Sequence, residues 1–305
     1  MFITQIKSLK NTEFWRYLLG SLIVILCSFL GQIPITIGWL IKTGSMVELQ
    51  DTPQSKLMHL LDSNTTLFLL MLTFVFAMLG LWFVVTKLHR HTFKTIVTSR
   101  LKVDYKRIAF AFLVYGFFVL ISTYIGYKAE PENYEWNFNL YPFLGLVVLG
   151  VLLFPIQIGV EELVFRGYLM QGFAMLANNR LFALLMTSVI FGTLHITNPE
   201  VQEMGYIVLV YYIGTGLFLG VLTLMDKGTE LALGFHLANN LLQALLVTAD
   251  WTAIQTNSVL KDISPDHSVG LEVLTPVIVV YPILLLVFSK KYNWTDWKSK
   301  LFGSV

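Results

Sequence analysis

The chain has 305 residues, 55% of them hydrophobic and only 13% charged, with a mean hydropathy of +0.68. A soluble domain carries about 25% charged residues, and the deficit runs along the whole chain, which excludes a soluble globular class and leaves a polytopic helical membrane protein. The net charge of +2 carries no footprint for nucleic acid, because the basic residues cluster beside apolar stretches, and a single cysteine, Cys27, excludes an internal disulfide and any cysteine-based zinc motif.

The expected fold is all-α, with about eight transmembrane helices. The first apolar stretch, 17–41, is span-length and no small-residue cleavage site follows it, so it reads as a retained helix rather than a signal peptide. Further stretches follow at 66–86, 108–127, 141–161, 181–197, 205–225, 231–249 and 271–289, most of them near the ~20 residues a spanning helix needs. Placing both termini inside puts 17 of the 21 Lys and Arg in inner segments and leaves Lys42, Lys56, Lys128 and Lys261 outside. The basic run 87–107, which holds His89 and His91, reads as an inner loop of this kind. Gly216 and Gly220 form a small-xxx-small pair suited to close helix packing in the sixth span. Three regions are expected: helices one to three over 1–140, a core over 141–250, and an outer loop, last helix and basic tail over 251–305. The partner common to all of them is the lipid bilayer, with no nucleic acid.

Within this apolar frame the segment GVEELVFRGYL, 159–169, carries three charges. Ionisable groups at bilayer depth are costly and usually mark a site. Glu162 and Arg166 are four apart, so they share a helix face and pair in the favourable order. Glu161 points about 100° away and has no basic residue three or four positions off. The doublet therefore divides: Glu162 is a structural partner for Arg166, while Glu161 is left unpaired, and an unpaired buried carboxylate suits general acid–base work.

The fifth stretch brings His195 near its end, and the turn signal ANNR at 177–180 separates it from the glutamates. Measured from that turn, Glu161 lies ~24 Å back and His195 ~21 Å forward along continuous helices, so an antiparallel hairpin brings them to similar depth. This requires the fourth helix to continue past Glu161 toward Leu176, with tilting, breaking near Pro155, or projection beyond the bilayer. The seventh stretch adds His236 and Asn240, four apart on one face. Two Glu, one Arg, two His and one Asn on three neighbouring spans make a buried site the favoured reading, while the residues alone leave the reaction open.

These segments resemble the motifs of the CPBP family, which comprises the CAAX prenyl proteases and bacteriocin-processing intramembrane proteases and is also called the Abi family. E-E-x-x-x-R is Glu161 to Arg166, followed by Gly167; F-x-x-x-H is Phe191 to His195; H-x-x-x-N is His236 to Asn240. The three stand in the family's order over about 80 residues. The resemblance implies a multi-pass cell-membrane endopeptidase of the glutamic type, acting on a membrane-associated peptide or protein, lipidated or not. It implies Glu161 as the base that activates water, assisted by His195, with His236 and Asn240 stabilising the oxyanion, Glu162 and Arg166 holding the site in shape, and Phe191 packing beside His195. It implies catalysis without metal or other cofactor. Other classes accommodate the same residues: a zinc-dependent membrane protease, although no H-E-x-x-H pair is present; a non-catalytic immunity or scaffold protein; and a transporter, against which the lack of visible repeats and of paired broken helices counts. The substrate is not legible.

Overall fold

The computed structural model describes residues 2–265 and 271–305, so 266–270 of the expected outer loop lie outside the described residues. In chain order the principal helices are α1 Phe14–Thr43, α2 Ser63–Phe83, α3 Tyr105–Ala129, α4 Leu140–Glu162, α5 Met170–Ala177, α6 Arg180–Thr193, α7 Ile207–Asp226, α8 Glu230–Leu246 and α9 Tyr281–Tyr292. A π-helical turn, Val84–Leu88, prolongs α2, and another, Leu163–Leu169, joins α4 to α5 as one continuous rod. Local chemistry sets the ends. Gly44 stops α1 at φ 84°, a left-handed conformation that glycine adopts without a Cβ clash. Asp62 and Asp104 cap α2 and α3 by accepting from Thr65 N and Lys106 N.

Among the described residues five helical segments are long and apolar enough to cross a membrane: α1, α2 with its π turn, α3, the α4–α5 rod and α7. The stretches expected as fifth, seventh and eighth spans form shorter helices. α6 has 14 residues, ~21 Å against a hydrocarbon core of ~30 Å, because the chain turns at Leu194 before Pro199 opens a short helix, Pro199–Met204. α8 has 17 residues and α9 has 12, the latter following a π turn at Pro276–Val280. The fourth stretch departs the other way: the rod runs 38 residues, Leu140–Ala177, ~57 Å end to end. It passes Pro155 without ending and continues well past Glu161.

The expectation of an all-α chain needs one correction. A small sheet of order β1-β3-β2 ties three loops together: β1 Tyr134–Trp136 pairs antiparallel with β3 Leu260–Asp262, and β2 Val247–Ala249 pairs parallel with β3. Three-residue strands carry no readable alternation, which is why pattern reading passes over them.

Two apolar clusters frame the centre. One joins Tyr115 and Val119 of α3, Phe218 and Leu222 of α7, Phe235 of α8, and Tyr281 and Phe288 at α9. The other joins Tyr17 and Val24 of α1, Leu81 of α2, and Val160, Leu163 and Tyr168 on the rod. His236 follows directly on the first cluster, and Glu161 and Glu162 fall between Val160 and Leu163 of the second. Close approach of α6 and α7 depends on Gly216, where a Cβ would lie 3.0 Å from Ser188 Cα.

The basic run 87–107 folds inward rather than lying free. His89 is buried, its Nδ1 2.8 Å from the Asn11 carbonyl and its Nε2 2.9 Å from the Tyr168 hydroxyl. Burial pushes its pKa down to about 4, with His91 and Arg16 acting in the same direction and the Asn11 carbonyl opposing. Arg100 lies 3.0 Å from both Asp226 and Glu230, and Arg107 pairs with Asp226, so the run clasps the α7–α8 corner.

Candidate active site

The hairpin at ANNR is built by its two asparagines. Asn178 takes a left-handed conformation at φ 48° to end α5, and Asn179 caps α6 by accepting from Phe182 N at 3.0 Å. The hairpin lays α6 against the rod, which sets Phe191 against Arg166 and His195 on the cavity that Glu161 lines. The π turn begins at the residue after Glu162, and π turns of this kind recur at functional sites.

Glu162 and Arg166 form the deepest pair. Their side chains are 0% and 1% exposed, and Arg166 Nη1 donates to Glu162 Oε1 at 3.1 Å. The guanidinium is held twice more: its Nη2 lies 3.4 Å from the Gly216 carbonyl, and its Cζ is 4.3 Å from the centroid of the Phe191 ring, a cation–π contact. Phe191 thus packs against Arg166 as well as His195, from which its ring is 4.8 Å away.

His236 stands between the two carboxylates. Its Nδ1 is 2.7 Å from Glu162 Oε1 and its Nε2 is 3.4 Å from Glu161 Oε2. Glu161 also accepts from the side-chain amide of Gln157, one turn earlier on α4. The expectation that Glu161 is unpaired is therefore corrected, and so is the expectation that His195 is the group it meets. α6 ends at Thr193, which leaves His195 on the turn beyond the helix, where its Nδ1 bonds the Phe191 carbonyl at 2.7 Å and its ring stacks on Tyr212. A carbonyl only accepts, so Nδ1 carries the hydrogen and Nε2 of neutral His195 keeps its lone pair. Asn240 donates from Nδ2 to Gln157 Oε1 at 3.0 Å and keeps a second amide hydrogen.

Glu161, His195, His236 and Asn240 all line one cavity of ≈ 630 Å³ between the rod, α6, α7 and α8. Gln32 of α1 and Phe74 of α2 complete its wall on another side, and Ala253 and Ile254, from the segment between β2 and β3, form a further part. Glu162 and Arg166 lie behind this wall. Reading the sequence missed Gln157, Tyr212 and Glu200, which also line the cavity. Gln157 was within reach of the spacing rule applied elsewhere, being a polar residue four before Glu161 in an apolar stretch. Tyr212 and Glu200 carried no such signal. Among the described residues, no three His, Cys, Asp or Glu side chains are grouped to hold a metal ion.

Residues 140–242 match the type II CAAX prenyl endopeptidase Rce1-like family. Over 252 residues the chain is 30% identical to a Bacillus subtilis (strain 168) protein described as uncharacterized protein YyaK, covering 81% of this chain and 82% of that relative. The chain belongs to the CPBP family. No solved structure matches it. The matched segment contains all six polar residues of the three motifs: Glu161, Glu162, Arg166, His195, His236 and Asn240. With five apolar helices of spanning length, this CPBP member is a multi-pass membrane protein with a CAAX-protease-type fold, and lipid is its surroundings.

Proposed function

We propose that the cavity is the active site of an intramembrane endopeptidase of the glutamic type, in which Glu161 activates water to hydrolyse a peptide bond of a membrane-associated substrate, lipidated or not. The observation that carries this reading is the inequality of the two glutamates. Glu162 is sealed off with Arg166, whereas Glu161 reaches the cavity with His236 at its side. The proton of the attacking water passes to Glu161 as the water oxygen bonds the scissile carbonyl carbon. Charge then develops on the carbonyl oxygen, where the spare amide hydrogen of Asn240 and an Nε2–H of His236 supply donors. His236 donates from Nε2 only as imidazolium, since Nδ1 is engaged with Glu162. His195, with its Nε2 lone pair in the cavity, assists by taking up and returning a proton. Collapse of the intermediate breaks the C–N bond, and the departing amine takes the proton that water gave up.

The same proposal places the protein in the cell membrane with eight crossings and both termini inside, the three shorter helices completing the count. The catalytic core is 141–250. Reconstitution of the native protein and Glu161→Gln in proteoliposomes, followed by comparison of released peptides from a membrane protein digest, tests it. Products are expected with the native protein alone. Cleavage surviving in Glu161→Gln removes the glutamate mechanism. A biological effect that persists in that variant without cleavage supports a non-catalytic role instead.

A further inference from the structure

Gln157 is the side chain through which two walls of the cavity meet, and its bonds have a direction. It is 4% exposed and stands on α4 one turn before Glu161. Its Nε2 donates to Glu161 Oε1, and its Oε1 accepts from Asn240 Nδ2 at 3.0 Å. Asn240 Oδ1 accepts in turn from Asn239 Nδ2 at 3.0 Å. Asn239 Oδ1 accepts from the Tyr115 hydroxyl at 3.2 Å and from Gln243 Nε2 at 3.0 Å. Consecutive residues on α8 point about 100° apart, so Asn240 addresses α4 while Asn239 addresses Tyr115 on α3.

Each link dictates the next. An ionised carboxylate only accepts, so Gln157 must turn its nitrogen toward Glu161 and its oxygen away. That oxygen requires the nitrogen of Asn240, whose oxygen then requires the nitrogen of Asn239. Turning Gln157 over would set oxygen against oxygen at Glu161 and N–H against N–H at Asn240, at a buried position where such mismatches are costly. Three aligned amides therefore end on Glu161 with their donor side.

We propose that Gln157 is a positioning residue: at the head of this amide chain it holds Glu161 as a hydrogen-bonded carboxylate facing the cavity and fixes its distance from Asn240. The consequence for catalysis rests on the proteolytic reading above; the consequence for the ionisation of Glu161 does not. A plain helix-to-helix contact between α4 and α8 would contribute to stability alone and would leave the protonation of Glu161 where it was. The titratable and charged groups facing Glu161 are His236 on α8, Glu162 and Arg166 on its own rod, and His195, Glu200 and Tyr212 across the cavity. None of them changes in the variants below, so differences between variants isolate the amide chain.

The test is labelling of the full-length protein in lipid nanodiscs with dicyclohexylcarbodiimide, which attacks a protonated carboxyl and spares a carboxylate. Glu161 and Glu162 are resolved by peptide mass spectrometry from pH 5 to 9. Gln157→Met keeps length and apolar packing while removing the amide, and the pH of half-labelling at Glu161 is expected to rise by about one unit or more. Asn239→Ala leaves Gln157 in place and removes the far support, so a smaller rise in the same direction is expected. It carries the test alone if Gln157→Met does not fold. Profiles of folded variants that superimpose on the native one overturn the proposal. In the cleavage assay, Gln157→Met is expected to lower kcat about 100-fold with KM little changed. A loss carried wholly by KM counts against positioning. A native protein that cleaves nothing sinks the proteolytic reading, while the labelling profile still decides the role of Gln157.

Discussion

The ring of His195 stacks on that of Tyr212, with centroids 4.2 Å apart and planes within 21° of each other. Together with the 2.7 Å bond from Nδ1 to the Phe191 carbonyl, this leaves the imidazole little freedom to turn although it lies beyond the end of α6. Tyr212→Phe preserves the stacked face, and kcat/KM is expected to stay within about threefold of native. Tyr212→Leu removes it, and a loss of about tenfold or more is expected from the misplaced His195. Steady-state kinetics on the two variants distinguish a role for the ring from one for the hydroxyl.

The Glu162–Arg166 pair is enclosed, so its halves are unequal to the whole. Arg166→Met strands a buried carboxylate beside His236 and is expected to cost about 3–5 kcal/mol. Replacing both partners, Glu162→Gln with Arg166→Met, removes the stranded charge and is expected to recover part of that loss. Thermal unfolding in detergent across the single and double variants measures the difference. A double variant no more stable than Arg166→Met contradicts this account.

The asparagine hairpin is separable from chemistry. Asn179→Ala deletes the side-chain cap on Phe182 N and is expected to destabilise by about 1 kcal/mol. Asn178→Gly occupies the same left-handed backbone without a Cβ and is expected to be close to neutral. The order of the two melting temperatures is the readout.

His89 gives the fold a pH limit. Its folded value of about 4 lies below the ordinary 6.5, chiefly because the ring is buried. As pH falls from about 6.5 toward 4 the unfolded chain takes up a proton that folded His89 refuses, so stability drops through that window, whereas above it this residue confers no pH dependence. His89→Asn is expected to flatten the slope of unfolding temperature against pH between 6.5 and 4, whatever its effect on the absolute value.

Helical spacing made much of the site readable in advance. It paired Glu162 with Arg166, set His236 and Asn240 on one face, and located the turn that returns α6 along the rod. It erred where contacts are settled between helices rather than along them. Depth alone suggested that His195 meets Glu161, but depth says nothing about azimuth, and α8 presents His236 to the glutamates while α6 stops short of doing so. The amide chain was hidden for the same reason: spacing sets Gln157 beside Glu161, but its link to Asn240 and on to Asn239 and Tyr115 exists only once α3, α4 and α8 are side by side. Helix lengths were blurred by π turns, which hydropathy does not register, and the sheet by strands too brief to show a period.

That sheet gives the cavity a wall of a different kind. Val247 of β2 and Thr252, Ala253 and Ile254 of the following turn line it, anchored by three residue pairs on β3 and by the 2.9 Å bond from Ala253 N to Glu200. The remaining walls come chiefly from helices. The connector 247–262 is itself packed: Thr248, Ala249, Gln255, Thr256, Ser258 and Leu260 are buried, and Gln255 and Thr256 donate to the Ser55 and Ala244 carbonyls. What this wall contributes to the shape of the chamber is therefore confined to Val247, Thr252, Ala253 and Ile254, while the buried polar residues behind them hold the wall in place.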